Sequence, residues 1–386
     1  MKTSHRLIAL GLCAGAILMS VVGSASATPA WSVHEPPHPP PESTANVIRD
    51  VSCPTFISAS IYGCIGVGST TSPSGTKPLL VIGEASFWNT WPESISYTGY
   101  PGAVLESIYC VSEMFCEAVG YYTPKAETRK PFAMRMAYES GLYKWTIEKP
   151  VVPGADEFTE LNGVTCTTSP SYCVAVGTTK ATSASTTSKT LIEKVSGGVW
   201  SQQTSPSTEG VESRLSDVSC TSGTSCVAVG RVGAGALSEF YNGTEWKQVA
   251  TGVTGLFESV SCTATTACTA VGQGSGKLIV RRWNGTSWVM QLPVSPTGST
   301  ASTGTEVTCR SATECVLVGS YTAEGTVRSL AERWNGTAWS QDTVPLPKGS
   351  TSATLLGVSC PASTFCAAVG NSTISGVTTM LVNIYS

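Results

Sequence analysis

The sequence predicts an all-β fold, a seven-bladed β-propeller of four-stranded antiparallel blades, with the N-terminal strand closing the last blade. Three observations carry this expectation. Seven cysteine pairs recur in matching contexts, their first members stand 42 to 57 residues apart, and a Trp-Asn-Gly-Thr-x-Trp motif recurs between pairs. Self-similarity at periods of about 20–50 residues marks propellers, solenoids and arrays. No stretch of the sequence sustains the 3.6-residue periodicity of a helical solenoid.

The pairs are Cys53 and Cys64, Cys110 and Cys116, Cys166 and Cys173, Cys220 and Cys226, Cys262 and Cys268, Cys309 and Cys315, and Cys360 and Cys366. Val218-Ser219-Cys220 returns as Val260-Ser261-Cys262, Val307-Thr308-Cys309 and Val358-Ser359-Cys360. Each second cysteine opens a short apolar run ending in Gly, as in residues 226–230 and 366–370. A unit therefore reads as strand a up to the first cysteine, a short turn, strand b from the second, a variable loop, strand c, a turn and strand d. Arg282-Trp283-Asn284-Gly285-Thr286-Ser287-Trp288 marks the c–d turn and returns at residues 333–339, with weaker copies at 241–246 and 87–91. Asn-Gly between apolar segments signals a hairpin, because a type I′ turn needs positive φ at both central residues. Four-stranded units in tandem make a propeller.

The last unit lacks a strand d, and the front of the chain supplies a copy. Ala30-Trp31-Ser32-Val33 matches Ala338-Trp339-Ser340-Gln341, and a Pro-rich connection follows both. This pairing hides two edges that would otherwise invite aggregation.

Lys2 and Arg6 precede an apolar run at residues 7–22, and Ala25-Ser26-Ala27 is an A-x-A cleavage site. Residues 1–27 are thus expected to be a secretory signal peptide and residues 28–386 a single propeller domain. Cys13 follows Leu12, where lipidation requires a small residue, so no lipid anchor is expected. No later segment approaches the ~20 apolar residues of a membrane span. The expected location is outside the cell, where disulfides persist. Setting Cys13 aside from the 15 cysteines leaves an even number. Cysteines flanking a short hairpin turn can reach the ~5.5–6 Å Cα separation of a disulfide, and each such bond contributes about 2 kcal/mol in the chain-entropy model. Zinc spacing and the C-x-x-C redox motif are both missing. No metal or cofactor is expected. Only 13% of the residues are charged, a composition suited to short strands and turns. A net charge of −3 without a basic run points away from nucleic acid.

The repeat resembles those of exported bacterial propellers of unassigned role, and is similar to the Asp-box and photosystem II assembly-factor-like propellers. In those families an apolar or aromatic pair occupies the place of the cysteines here. The resemblance covers residues 28–386 and implies fold. It carries no catalytic residue across, since the Asn-Gly-Thr-x-Trp motif lacks the Ser and Asp of an Asp-box.

For chemistry the sequence offers little convergence. The two later histidines, His34 and His38, read as part of a solvated Pro-rich connector, so a Ser-His-Asp triad is not expected. Asp50, Glu106, Asp217, Glu258 and Glu306 lie just before the first cysteine of their units, which places them near the upper mouth of the ring. They could bind a sugar or cation, or form the carboxylate pair of a glycosidase. The b–c loops vary most. Blade 2 offers Tyr121, Tyr122 and Arg129 for ligand contact, and blade 3 carries a Ser/Thr-rich stretch at residues 178–190. Function tends to sit on such loops over a rigid scaffold. The expected role is a secreted, monomeric, non-catalytic binding or scaffold protein that recognises a glycan, a cell-envelope component or another protein through these loops. The alternative is a propeller glycoside hydrolase or lyase using the carboxylates near the channel mouth.

Overall fold

A computed structural model describes residues 29–38, 40, 42–54, 63–91, 95–154, 158–167, 172–207 and 210–386. The expected signal peptide lies outside the described residues. The strands form seven four-stranded antiparallel sheets, each in the order a-b-c-d. Blade 1 comprises Ala45–Ser52, Cys64–Ser72, Gly75–Gly83 and Trp88–Thr90, and blade 2 comprises Val104–Ser112, Phe115–Tyr122, Lys130–Glu139 and Leu142–Glu148. Blade 3 is Phe158–Cys166, Tyr172–Lys180, Lys189–Ser196 and Val199–Gln203, and blade 4 is Ser213–Ser222, Ser225–Val232, Gly235–Tyr241 and Trp246–Gln248. Blade 5 is Leu256–Ala264, Ala267–Gly274, Lys277–Trp283 and Trp288–Gln291, and blade 6 is Ser299–Ser311, Glu314–Ala323, Thr326–Trp334 and Trp339–Gln341. Blade 7 takes strands a to c from Ser350–Ala362, Phe365–Ile374 and Val377–Tyr385, and strand d from Trp31–His34.

Ring closure follows the sequence expectation. Trp31 pairs with Tyr385 and His34 with Val382, antiparallel. The Trp31 indole donates to Asp342 Oδ2 of blade 6 at 2.8 Å. Arg333 bonds the same carboxylate at 2.6 Å and lies 3.4 Å above the Tyr385 ring. The histidine reading needs one correction. His34 belongs to the closing strand, and the exposed His38 lies in the connector.

Every blade has a β-bulge in strand a four residues before the first cysteine. The bulge brings a strand a carbonyl toward the glycine that ends the strand b apolar run. A Cβ on Gly230 would sit 2.1 Å from Arg214 O, and one on Gly370 would sit 2.0 Å from Thr354 O. Only glycine fits, which accounts for its recurrence in every repeat. The core is divided among seven clusters, each shared by two adjacent blades. One joins Ile48, Val51 and Val81 of blade 1 to Val369, Val382 and Ile384 of blade 7.

All seven cysteine pairs are disulfide-bonded, with Cα separations of 4.0–4.1 Å. This is narrower than expected. In five blades the two cysteines are direct cross-strand partners, as Cys220 is to Cys226, closer to the narrow non-hydrogen-bonded type of pair.

Two readings of the tryptophan motif change. The Asn-Gly turn is a four-residue loop: Trp283 pairs with Trp288, and Asn284 Oδ1 accepts the N–H groups of Thr286 and Ser287 at 2.9 Å. Only the glycine has positive φ, 94° at Gly285, so the asparagine acts through its side chain rather than through a type I′ backbone. In blade 1 the strand d tryptophan is Trp88, opposite Gly83, so the 87–91 copy was read out of register. One buried tryptophan stands in each strand d: Trp31, Trp88, Trp145, Trp200, Trp246, Trp288 and Trp339. Several reach back to the preceding blade, as Trp200 Nε1 does to Glu148 at 2.6 Å and Trp246 Nε1 to Gln203 at 2.9 Å.

Trp31→Ala empties a buried site and loosens the closing strand. It is expected to cost about 3–5 kcal/mol in denaturant unfolding. A loss below about 1 kcal/mol would mean that the ring does not depend on this strand.

Candidate functional site

Strand a is the innermost strand, so one of its edges faces the channel without a neighbour. In five blades the residue three before the first cysteine meets this need. Asp50 Oδ1 accepts its own Val51 N–H at 2.6 Å, and Oδ2 accepts Ile108 N–H of blade 2 at 2.8 Å. Asp217 repeats the arrangement with Val218 at 2.7 Å and Val260 at 2.9 Å. Glu306 accepts Val358 N–H at 2.6 Å. Ser107 and Ser259 serve Val164 and Val307. Blades 3 and 7 have glycine at this place, and each precedes a blade with aspartate. A Cβ on Gly357 would lie 2.8 Å from Asp50 Cα, and one on Gly163 would lie 2.8 Å from Asp217 Cα. The glycines make room for the carboxylates that turn back onto their own strand. One layer on, the serine of the Val-Ser-Cys motif accepts the cysteine N–H of the next blade, as Ser52 does from Cys110 at 2.9 Å and Ser219 from Cys262 at 3.0 Å.

Asp50, Asp217 and Glu306 thus lie inside the channel, around a cavity of about 120 Å³, rather than at its mouth. Burial pushes the carboxyls of Asp50 and Asp217 up to about 6, opposed by the N–H bonds they accept. Burial also raises Glu306 well above the usual range, reinforced by the charges of Asp50 and Asp217. Among the described residues, no group of three or more His, Cys, Asp or Glu is arranged to hold a metal ion.

Glu106 and Glu258 do reach the mouth. They are the bulged residues of their strands, left out of the pairing with strand b. Bulges re-aim side chains, and here the bulge turns a ring of residues into the mouth: Arg49, Glu106, Asn162, Ser216, Glu258, Thr305 and Leu356. With Arg214 they line a cavity of about 320 Å³. Arg49 stands 3.6 Å from Glu106, and Arg214 stands 3.3 Å from Glu258. Burial raises both glutamates, and the arginines pull them back. Asn162 Nδ2 donates to Leu215 O at 2.8 Å. Blades 3, 6 and 7 contribute the uncharged Asn162, Thr305 and Leu356, and the charged residues come from blades 1, 2, 4 and 5. Sequence reasoning misses Asn162 and Arg214, and weighs Arg49 only as a member of a sialidase arginine triad, for which its context does not fit. The signal is a fixed offset from the first cysteine, four residues for Arg49 and Asn162 and six for Arg214.

The loop residues divide. The Arg129 guanidinium lies 3.9 Å above the Tyr121 ring and 4.8 Å from the Phe158 ring, and is ion-paired to Glu160. Tyr121 also feels the charges of Glu106 and Arg49, so this group continues the charged wall of the mouth. Tyr122 turns away and packs edge-on against Tyr100 at 5.1 Å, in the core between blades 1 and 2. Two further buried acids dock connections between blades. Glu193 accepts Val151 N–H at 2.8 Å, and Glu332 accepts Val294 N–H at 3.0 Å.

No family model matches the sequence, and no curated protein matches it. Solved structures do show likeness. The acylaminoacyl peptidase of Pyrococcus horikoshii aligns at a TM-score of 0.50 and 10% identity over 88% of this chain and 51% of that one. The likeness is one of fold. Penicillium chrysogenum α-L-arabinanase complexed with arabinobiose aligns at 0.47 and 10% identity, covering 92% and 97% of the two chains. YCF48 bound to D1 peptide aligns at 0.41 and 12% identity, covering 76% and 97%. Among the described residues no helix is long and apolar enough to cross a membrane.

The raised carboxyls give a signed pH dependence. The folded ring holds these protons more tightly than the unfolded chain, so their contribution is complete below the ordinary value of 3.8 and is lost as pH rises to about 6 for Asp50 and Asp217. Glu117 and Glu193, raised by burial to about 8, extend the decline. Glu306→Gln keeps an acceptor for Val358 and removes one charge facing both aspartates. It is expected to stabilise the protein near pH 8 by on the order of 1 kcal/mol and to flatten the slope. Unfolding midpoints from pH 4 to 8 measure this, and an unchanged slope would contradict the repulsion among the three acids.

Proposed function

We propose that this chain is a secreted, non-catalytic binding protein whose ligand, a protein segment or cell-envelope glycan, docks over the channel mouth. The observation that carries this reading is how the five candidate carboxylates are engaged. Asp50, Asp217 and Glu306 are bonded to strand a N–H groups. Glu106 and Glu258 are held by arginines. A glycosidase needs one carboxyl to protonate the leaving oxygen and another as base or nucleophile. The mouth instead presents both signs of charge in fixed positions, flanked by the stacked Arg129 and Tyr121. Such an arrangement favours specificity for a ligand carrying both donors and acceptors. The disulfides fit an oxidising location outside the cell.

The test is titration of the oxidised protein with cell-envelope polysaccharides, other glycans and candidate proteins, with product analysis on every hit. Saturable binding without turnover is expected. Glu106→Gln and Arg49→Gln should each weaken it by about tenfold while moving stability by less than about 1 kcal/mol, because partly exposed ion pairs contribute little. Release of product would overturn the reading and assign hydrolysis to Glu106 and Glu258.

A further inference from the structure

The junction between blades 3 and 4 differs from its neighbours. At the junctions on either side of it the connection adds an apolar side chain to the core, Val151 between blades 2 and 3 and Val253 between 4 and 5, as Val344 and Leu346 do between 6 and 7. Between blades 3 and 4 it runs Thr204-Ser205-Pro206-Ser207, and none of these described residues joins the core cluster of that junction. Ser205 instead donates to the buried Glu239 at 2.9 Å, and Ser207 accepts Thr190 N–H at 3.0 Å. The connection is thus held off the core by polar contacts, and a groove opens beside it.

The groove has two lobes of about 900 and 530 Å³ that share Gln202, Gln203 and Thr204 as a common wall. The upper lobe begins in the Ser/Thr-rich b–c loop of blade 3, with Thr187 and Ser188 among its lining residues. The lower lobe ends at Tyr241, which is half-buried and packed against Trp246 at 5.2 Å. Trp246 Nε1 holds Gln203 Oε1 at 2.9 Å, which fixes the amide. Most charged groups on the walls are engaged. Lys180 stands 4.0 Å from Glu212, Lys194 lies 5.6 Å from the Tyr172 ring, and Glu245 pairs with Lys247 at 2.7 Å. Lys189 is exposed at the start of strand c.

We infer that this groove binds an extended neutral oligosaccharide. Hydroxyls and primary amides donate and accept together, and so match sugar hydroxyls on every side. The Tyr241 ring offers an apolar surface to sugar C–H groups. Each lobe has the size of a small-molecule site, and the two adjoin at Gln202, Gln203 and Thr204, which suits a chain of several sugar rings. The site has no lining residue in common with the channel mouth, and does not depend on the reading given for it.

The test is calorimetric titration with soluble neutral hexasaccharides, namely the cello-, xylo-, laminari-, malto- and chito-series, with oligogalacturonate as the charged control. At least one neutral series should bind at about 1 mM or below. Gln202→Trp, which fills the shared wall from an exposed position, and Tyr241→Ala should each weaken binding by at least about fivefold. Glu106→Gln should leave it unchanged. No binding in any neutral series, binding that survives Gln202→Trp, or binding of oligogalacturonate alone would each overturn the assignment. Loss of binding in Glu106→Gln would do the same and return the glycan to the mouth.

Discussion

The ring rests on how the inner edge of strand a is satisfied. In an open sheet, an edge strand can leave its N–H groups to water or to another strand. Here seven such edges converge on a narrow channel, where unpaired donors cost free energy. Side chains answer them in two layers, the carboxylate or serine three residues before the first cysteine in five blades and the serine just before it in four. Most of these bonds cross from one blade to the next, so satisfying the backbone and assembling the ring are largely one event.

This dual role explains why acids occur where a catalytic reading would want them. Asp50 and Asp217 each serve two N–H groups, one on their own strand and one on the next. That is possible only because a glycine stands in the blade before. The cost is a concentration of carboxyls in a confined space, which is relieved by holding protons more tightly. Burial of Glu193 and Glu332 follows a related logic at the periphery, where each fixes the connection from the preceding blade.

Much of the architecture was legible because it is local and repeated. Cysteine spacing, the glycine ending strand b and the copy of strand d around Trp31 are properties of single repeats. Trp145 and Trp200 escaped because no Asn-Gly precedes them, although they occupy the same strand. The fates of the candidate acids were not legible, since they depend on the neighbouring blade. Asp50 and Glu106 are both acids near the start of a repeat, yet one residue of offset across a bulge sends the first into the channel and the second to the mouth. Tyr121 and Tyr122 are adjacent in sequence, and strand alternation sends one to the charged wall and the other into the core.

Closure through Trp31–His34 sets an order in time. Trp31–His34 is synthesised before the other strands of the ring and must wait for Val377–Tyr385, its partner. Contacts so distant in sequence form slowly, and until they form two strand edges stay open. Closure therefore acts as a proofreading step on completeness. A chain cut short before Val377–Tyr385 would leave both edges exposed to proteases, whereas a chain that includes this strand would hide them.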